Sequence, residues 1–176
     1  MHWMSLALAL PVNGTGSKFP STEACRVRLS RIRWPSGPTC IRCGCDDVGY
    51  LDLRKIFYCR FCHHQFSVTA GTFMHRSRID LRMWFTAGED FINAFARGND
   101  PTGHSVSELY QISYAAAYRL KKLAKAELTK PEGGLLGRSI CDSERPDTPE
   151  LVESPGQRFF RLFNSLSDLD AEKIPD

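Results

Sequence analysis

Apolar residues recur at steps of three and four in the middle of the chain, the spacing that buries one face of an α-helix. The clearest stripe follows Asp80, and its members are Leu81, Trp84, Phe85, Gly88, Phe91, Ile92 and Phe95. Asp80 can cap the start of this helix and Gly98 can end it. The pattern therefore predicts one long amphipathic helix between Asp80 and Gly98.

Two further helical patterns follow the loop at residues 99–103. Ser105 and Glu108 have the spacing of a capping box, which predicts a short helix to about Gln111. Ser113 then caps a longer helix from Tyr114 to about Leu128. Two helices joined by so short a turn are spaced like a helix-turn-helix, whose second helix lies in the DNA major groove.

The first part of the chain has other patterns. Residues 1–18 show no periodicity and therefore predict a flexible leader. They are not expected to be a signal peptide, because the apolar residues 6–10 lack a basic flank and a cleavage site. Ser21 can cap a short helix that runs to about Arg33. Beyond it, the patches 49–53, 56–59 and 65–69 predict short strands.

Two Cys-x-x-Cys pairs lie in this strand-rich region, namely Cys40 with Cys43 and Cys59 with Cys62. Each pair can place two sulfurs on one ion, and the fifteen residues between the pairs can form a strand pair that brings them together. Four thiolates close a tetrahedral zinc site with no open position for water, so the site is structural. Iron or a redox-active dithiol is the alternative.

Other potential ligands lie nearby or farther along the chain. Cys45, His63 and His64 adjoin the two pairs and are candidate substitutes, while Cys25 and Cys141 are expected to be free thiols. Paired cysteines of this kind indicate metal-binding thiolates in a reducing compartment rather than disulfides. We therefore expect one structural Zn²⁺ and a cytoplasmic, nucleoid-associated protein.

Charge is unevenly distributed along the 176 residues. Residues 18–130 contain 18 Lys and Arg against 10 Asp and Glu, whereas residues 131–176 contain 5 against 10. A basic body favours an anionic partner such as nucleic acid. No apolar run is long enough to span a membrane, and neither a membrane partner nor a small-molecule substrate is expected.

Together these patterns predict a small α+β protein with a short N-terminal helix, a zinc ribbon of β-hairpins, a three-helix helix-turn-helix unit and a largely irregular tail with one short helix near Phe159–Leu166. The predicted segments are a flexible leader (1–18), the short helix and turn (19–36), the ribbon (37–72), the helix-turn-helix unit (80–129) and an acidic tail (130–176).

Several strings of the sequence resemble the N-terminal region of bacterial insertion-sequence transposases. They are Arg33–Gly37, Cys40–Gly44, Tyr58–Cys62, Gln65–Thr72 and His75–Ser77. The similarity covers roughly residues 19–128. In that family a transposase zinc ribbon and a helix-turn-helix precede a DDE-type nuclease domain, so the resemblance implies a role in DNA transposition with duplex DNA as the partner.

The resemblance also implies where a nuclease domain would begin. That domain opens with an apolar strand carrying the first metal-binding aspartate, and Leu135–Asp142 resembles this opening, with Asp142 at the matching place. Two-metal phosphoryl transfer needs several carboxylates from distant strands, but Pro146 and Pro149 interrupt the pattern and only 34 residues follow Asp142. We therefore expect no catalytic residue and a DNA-binding protein of transposase origin that is not an enzyme by itself.

The expected DNA contacts lie on the last predicted helix and on the ribbon. Arg119 can bind guanine through two hydrogen bonds, whereas lysines suit phosphates. The full set of expected contacts is Tyr114, Tyr118, Arg119, Lys121, Lys122, Lys125, Arg54, Lys55, Arg76 and Arg78.

Two alternative functions remain open at this point. The chain can be a transposase subunit or fragment that acts with a separately encoded DDE domain, either as a partner or within a homo-oligomer. It can instead be a protein–protein interaction module in which the ribbon and Phe159–Leu166 contact other proteins.

Overall fold

A computed structural model describes residues 2–141, which form seven α-helices and one three-stranded antiparallel sheet. The predicted α+β fold is therefore confirmed. The helices are α1 (His2–Leu8), α2 (Gly14–Lys18), α3 (Thr22–Arg33), α4 (Leu81–Ala96), α5 (Gly103–Tyr110), α6 (Tyr114–Leu128) and α7 (Gly134–Ile140). The strands are β1 (Val48–Leu51), β2 (Ile56–Cys59) and β3 (Gln65–Phe66).

Helix α4 is the centre of the helical part, because α1, α2, α3, α6 and α7 all pack against it. Its apolar stripe is buried as the spacing predicts, and the buried residues are Leu81, Trp84, Phe85, Ala87, Gly88, Phe91 and Ile92. The side chain of Asp80 accepts a hydrogen bond from the backbone N–H of Arg82, so the predicted N-cap is confirmed.

Helices α5 and α6 form a pair joined by the three residues between Tyr110 and Tyr114. Ser113 caps α6 by accepting a hydrogen bond from Ala116, as predicted. The prediction that Ser105 caps α5 is wrong: Thr102 has the extended backbone of an N-cap and accepts a hydrogen bond from the N–H of Ser105, which is already helical. The helix consequently begins one turn earlier than the capping-box pattern indicates.

The N-terminal residues differ from the predicted flexible leader. Helices α1 and α2 pack on α4. The ring centre of Trp3 lies 4.7 Å from the ring centre of Phe95, and Nε2 of His2 lies 2.7 Å from the carbonyl oxygen of Leu128. Thr15 donates its backbone N–H to Glu89 at 2.8 Å. These helices are short and are held by residues far along the chain, which explains why their sequence shows no periodic signal.

Residues 134–140 are a second departure from the sequence-based expectation. This stretch resembles the opening strand of a nuclease domain and was expected in an irregular tail, but it forms helix α7 within the core. Leu136 and Ile140 are fully buried, and a Cβ atom added at Gly88 would lie only 3.0 Å from Cδ1 of Ile140. The absent side chain at Gly88 lets α7 approach α4 closely.

Polar groups fix both ends of α7. At its start, the carboxylate of Glu127 accepts the backbone N–H of Leu135 at 2.7 Å. At its end, the guanidinium of Arg28 donates to the carbonyl oxygens of Ser139 and Cys141, both at 3.1 Å. A cation at a helix C-terminus satisfies carbonyls that have no partner within the helix. The helical part therefore includes Gly134–Ile140, which lies beyond the end of the predicted helix-turn-helix unit at residue 129.

Two expectations fall on residues that the structure does not describe. Asp142, which matches the first aspartate of the transposase nuclease domain, and the predicted helix near Phe159–Leu166 both lie outside residues 2–141. Among the helices that are described, none is long and apolar enough to cross a membrane.

Truncating Leu136 to alanine tests the assignment of α7 to the core. We expect Leu136→Ala to lower the free energy of unfolding by about 2–5 kcal/mol, because it leaves a cavity beside α4. Arg138→Ala is the matched control, since Arg138 is exposed on the same helix. Urea denaturation of the zinc-loaded chain measures both, and equal losses for the two variants would contradict the assignment.

Candidate metal centre and nucleic-acid surface

The three strands form a small antiparallel sheet that carries the second cysteine pair. Strand β1 pairs with β2, placing Val48 opposite Cys59, and β2 pairs with β3, placing Phe57 opposite Phe66. A 3₁₀ turn at Asp52–Arg54 joins the first two strands, and Lys55 has the left-handed conformation that ends it. The strand positions agree with the sequence pattern, although β3 is shorter than predicted.

Aromatic rings attach this sheet to α3. Trp34 directly follows α3. Its ring centre lies 5.3 Å from the ring centre of Phe57 and 6.0 Å from that of Phe66. The guanidinium of Arg33 lies 4.4 Å from the centre of the Trp34 ring and donates a 2.7 Å hydrogen bond to the carbonyl oxygen of Val68. Helix α3 and the sheet are therefore packed as one unit.

The two cysteine pairs have the same backbone hydrogen bonds. In the first, Gly44 donates to the carbonyl oxygen of Cys40 at 2.9 Å, and Cys40 donates to that of Cys45 at 2.8 Å. In the second, His63 donates to the carbonyl oxygen of Cys59 at 3.0 Å, and Cys59 donates to that of His64 at 3.0 Å. Each pair is thus folded into the same tight knuckle.

The fourth residue after the first cysteine of each knuckle has a positive φ, +74° at Gly44 and +58° at His63. Glycine adopts this left-handed conformation without steric cost, which explains Gly44. Histidine adopts it at an energetic cost. His63 therefore contributes to the shape of the second knuckle through its backbone.

The knuckles bring four sulfurs together. The Sγ atoms of Cys40 and Cys62 lie 3.6 Å apart, as do those of Cys43 and Cys59, and all four lie within 4.8 Å of one another. A tetrahedron of sulfurs at about 2.3 Å from zinc has edges of about 3.8 Å. These four cysteines are positioned to bind one zinc ion, as the sequence predicts.

Backbone amides support negative charge on the sulfurs. Arg42 donates its N–H to Sγ of Cys40 at 3.4 Å, and Cys62 donates to Sγ of Cys59 at 3.4 Å. Although desolvation opposes the change, the backbone amides of residues 42 and 43 and the neighbouring sulfurs lower the pKa of Cys40 to about 6. The amide of residue 45 favours the Cys43 thiolate, yet desolvation and the adjacent sulfurs raise the pKa of Cys43 to about 12. Four sulfurs this close need a cation before all of them ionise.

The remaining cysteines and histidines lie outside this group. Within residues 2–141, the four sulfurs are the one cluster of potential ligands with metal-binding geometry, and Cys45 is not part of it. His64 stacks on Phe66 with ring centres 5.9 Å apart. Burial raises the pKa values of Cys25 and Cys141 to about 11, so both remain protonated thiols.

Helix α6 presents an exposed face that carries several of the predicted DNA contacts. Tyr114 and Tyr118 are 49% and 54% exposed, and Arg119 and Lys122 are also exposed. His104, which sequence reasoning missed, contacts Tyr114, with ring centres 4.6 Å apart and ring planes tilted by 35°. No sequence signal links these two residues, because α5 and α6 bring them together only on folding.

Lys121 and Lys125, which were also predicted to contact DNA, form ion pairs with Asp100. Their ammonium groups lie 2.8 and 2.7 Å from the carboxylate of Asp100, and these hydrogen bonds lower its pKa. Lys125 also lies 5.0 Å from the ring centre of Phe95. Sequence reasoning missed Asp100 because it lies in a loop more than twenty residues away. These two lysines attach α6 to the rest of the helical part.

The other predicted contacts lie on the ribbon and on the segment leading to α4. Arg54, Arg76 and Arg78 are exposed, and none forms an ion pair with another residue of the described part. Lys55 instead pairs with Asp52 at 2.7 Å and approaches Glu23 at 3.8 Å.

Replacing one ligand should remove the zinc. We expect Cys59→Ser to lose the metal and unfold the ribbon, because metal binding provides roughly 10–16 kcal/mol of apparent folding free energy in such units. Cys45→Ser is the matched control, as it removes a neighbouring sulfur outside the cluster. Elemental analysis of zinc per chain measures the difference, and retention of one zinc by Cys59→Ser would refute the four-cysteine assignment.

Comparison with known proteins agrees with this geometry. Residues 20–65 match the transposase zinc-ribbon domain model of the IS1595 group, a range that includes α3 and all four cysteines. The chain is also 28% identical over 122 residues to an uncharacterized protein in transposable element ISH50 of Halobacterium salinarum. This match covers 68% of the present chain and 40% of that relative. No solved structure shows a significant match. Residues 20–65 are therefore similar to a transposase zinc-ribbon domain, and the chain is similar over part of its length to a protein of a transposable element.

Proposed function

We propose that this chain is a zinc-dependent DNA-binding protein of transposase origin that recognises duplex DNA resembling a transposon end. The observation that carries the proposal is the outward face of α6, where Tyr114, Tyr118, Arg119 and Lys122 are exposed, in a chain whose residues 20–65 match a transposase zinc ribbon. A helix presented in this way after a three-residue turn fits a DNA major groove.

The residues on this face have complementary chemical roles. Arg119 offers the fork of donors that matches the O6 and N7 atoms of guanine, and Lys122 offers a point charge for phosphate. The tyrosines supply hydroxyl groups and apolar ring surface close to them. In this proposal Lys121 and Lys125 have a smaller role, since Asp100 already neutralises part of their charge.

Zinc has a structural role in this function. Four thiolates fill its coordination sphere, so no water is activated and no substrate is bound at the metal. The ion holds the two knuckles together and thereby fixes the sheet and its exposed basic residues. Arg54, Arg76 and Arg78 then add a second positively charged surface that contacts the phosphate backbone.

A second candidate function is a transposase subunit or fragment whose DDE nuclease domain lies elsewhere. The chain spans 40% of the length of its relative in transposable element ISH50, which favours this candidate. In either case we expect the protein to act in the cytoplasm on nucleoid DNA. A test for transposon-end cleavage after mixing with a DDE domain distinguishes the two functions.

Alanine substitutions on α6 test the DNA-binding proposal. We expect Arg119→Ala to reduce discrimination between preferred and altered duplexes by about 1–3 kcal/mol. Lys122→Ala should weaken all sequences alike and reduce the dependence of affinity on salt. Fluorescence anisotropy with duplexes selected from a random pool measures both effects.

Lys121→Ala provides the matched control on the same helix. Its pairing with Asp100 predicts a smaller loss of affinity than that of Lys122→Ala. Unchanged binding in both Arg119→Ala and Lys122→Ala would refute the assignment of α6. Absence of any binding to duplex DNA at low salt would instead favour a protein–protein interaction module.

A further inference from the structure

Three exposed aromatic side chains form a row where the beginnings of α5 and α6 lie against each other. The ring of His104 contacts that of Tyr114, and the ring centre of Tyr114 lies 6.4 Å from that of Tyr118. The planes of the two tyrosine rings differ by only 28°. We call these three residues the aromatic row. His104 belongs to α5 and the tyrosines belong to α6, so both helices contribute to one surface.

The packing of α5 fixes the position of the Tyr114 ring. Gly103 is the first residue of α5, and a Cβ atom added there would lie only 2.8 Å from Cε2 of Tyr114. Carbon atoms in contact are normally about 3.5–4.0 Å apart, so the ring occupies space that a side chain at residue 103 would need. The aromatic row is therefore positioned before any ligand binds, which lowers the entropy lost on binding.

The fold makes little use of the outermost ring of the row. Tyr110, the other tyrosine of this helix pair, is half-buried, and its hydroxyl donates a hydrogen bond to Asp90. Tyr118 is 54% exposed, and its one aromatic contact within residues 2–141 is with Tyr114. Its hydroxyl forms no hydrogen bond with any residue of that range. The ring and the hydroxyl of Tyr118 are thus both available to a ligand.

An exposed aromatic ring binds best to a ligand that can present a flat face. In an intact duplex each base is covered by its neighbours, and only base edges are accessible from the grooves. An unpaired base can leave the stack and present its face. Stacking on an aromatic side chain is then favourable for any base, because every base has a π-face. The aromatic row therefore fits an unpaired base better than it fits a base pair.

Two cations adjoin the outermost ring. Arg119 follows Tyr118 directly, and Lys122 lies one turn farther along the same side of α6. Both side chains are exposed, and neither is in an ion pair in the part of the chain that the structure describes. Phosphates on either side of a base stacked at Tyr118 could bind to these cations. Aromatic rings beside positive charge are the combination that binds single-stranded nucleic acid.

We propose that the aromatic row stacks on an unpaired base adjoining the duplex that α6 recognises, with Tyr118 providing the stacking surface. The inference rests on the proposed function and narrows its substrate class. The preferred DNA would be a duplex with unpaired nucleotides beside the recognised sequence, and a fully paired duplex would bind more weakly. His104 has a positioning role in this scheme, because it contacts Tyr114 from α5.

Three DNA probes test the inference with the zinc-loaded full chain. The first is a paired duplex selected from a random pool. The second carries a short unpaired extension of thymidines on one strand or the other, and the third carries the same extension with abasic nucleotides. We expect the thymidine extension to tighten binding by about tenfold over the paired duplex. The abasic extension should give little gain, because it keeps the phosphates and lacks the bases.

Variants of Tyr118 identify the chemical group responsible. Tyr118→Leu should lose most of the gain from unpaired thymidines, since leucine is apolar but has no ring. Tyr118→Phe should keep the gain, because it removes only the hydroxyl. Tyr50→Leu is the matched control, as Tyr50 is a 40% exposed tyrosine on β1, outside the helix pair. Fluorescence anisotropy measures all of these affinities.

The outcomes separate this inference from the proposed function. If the wild-type chain binds the paired duplex and gains nothing from unpaired thymidines, the inference is wrong and the function stands. An equal gain from the abasic extension, or loss of the gain in Tyr118→Phe, would assign the effect to phosphate contacts and overturn the stacking proposal. Failure of the wild-type chain to bind any of the three probes would overturn both.

Discussion

The ribbon depends on four sulfurs that are held closer together than ionised thiolates tolerate without a cation. Their separations, 3.6 Å in two pairs, are close to the edges of a zinc–sulfur tetrahedron. The sheet beneath them contains only ten strand residues and a few aromatic rings, too small a core for independent stability. Metal binding therefore determines whether this part of the protein folds, and the rest of the proposed DNA surface depends on it.

Helix α4 has the corresponding role in the helical part. Five helices pack on it, including the two N-terminal ones and α7, so residues from both ends of the described chain meet at one element. The α5–α6 pair is held to this framework by the contacts of α6 with α4 and by the ion pairs of Lys121 and Lys125 with Asp100. The opposite face of α6 remains available, which is the arrangement a DNA-reading helix requires.

Two unrelated means of stabilisation are thus placed side by side. A metal-dependent ribbon and a helical core with conventional packing meet around Trp34, whose ring makes edge-to-face contacts with Phe57 and Phe66 of the sheet. In the proposed function the two parts bind one duplex. The zinc ion has no chemical step to perform in this scheme, because its four positions are filled by protein.

The sequence by itself determined the local features. Cysteine spacing predicted the metal ligands, the period of apolar residues predicted α4 and α6, and Asp80 and Ser113 cap them as expected, because these signals depend on neighbours within a few residues. Only the tertiary structure decided the rest. Helices α1 and α7 lack a strong local pattern and form through distant contacts such as Trp3 with Phe95 and Leu136 with the space left by Gly88. Only the tertiary structure also separates Lys121 and Lys125 from the exposed Lys122, since packing between elements brings Asp100 to the first two.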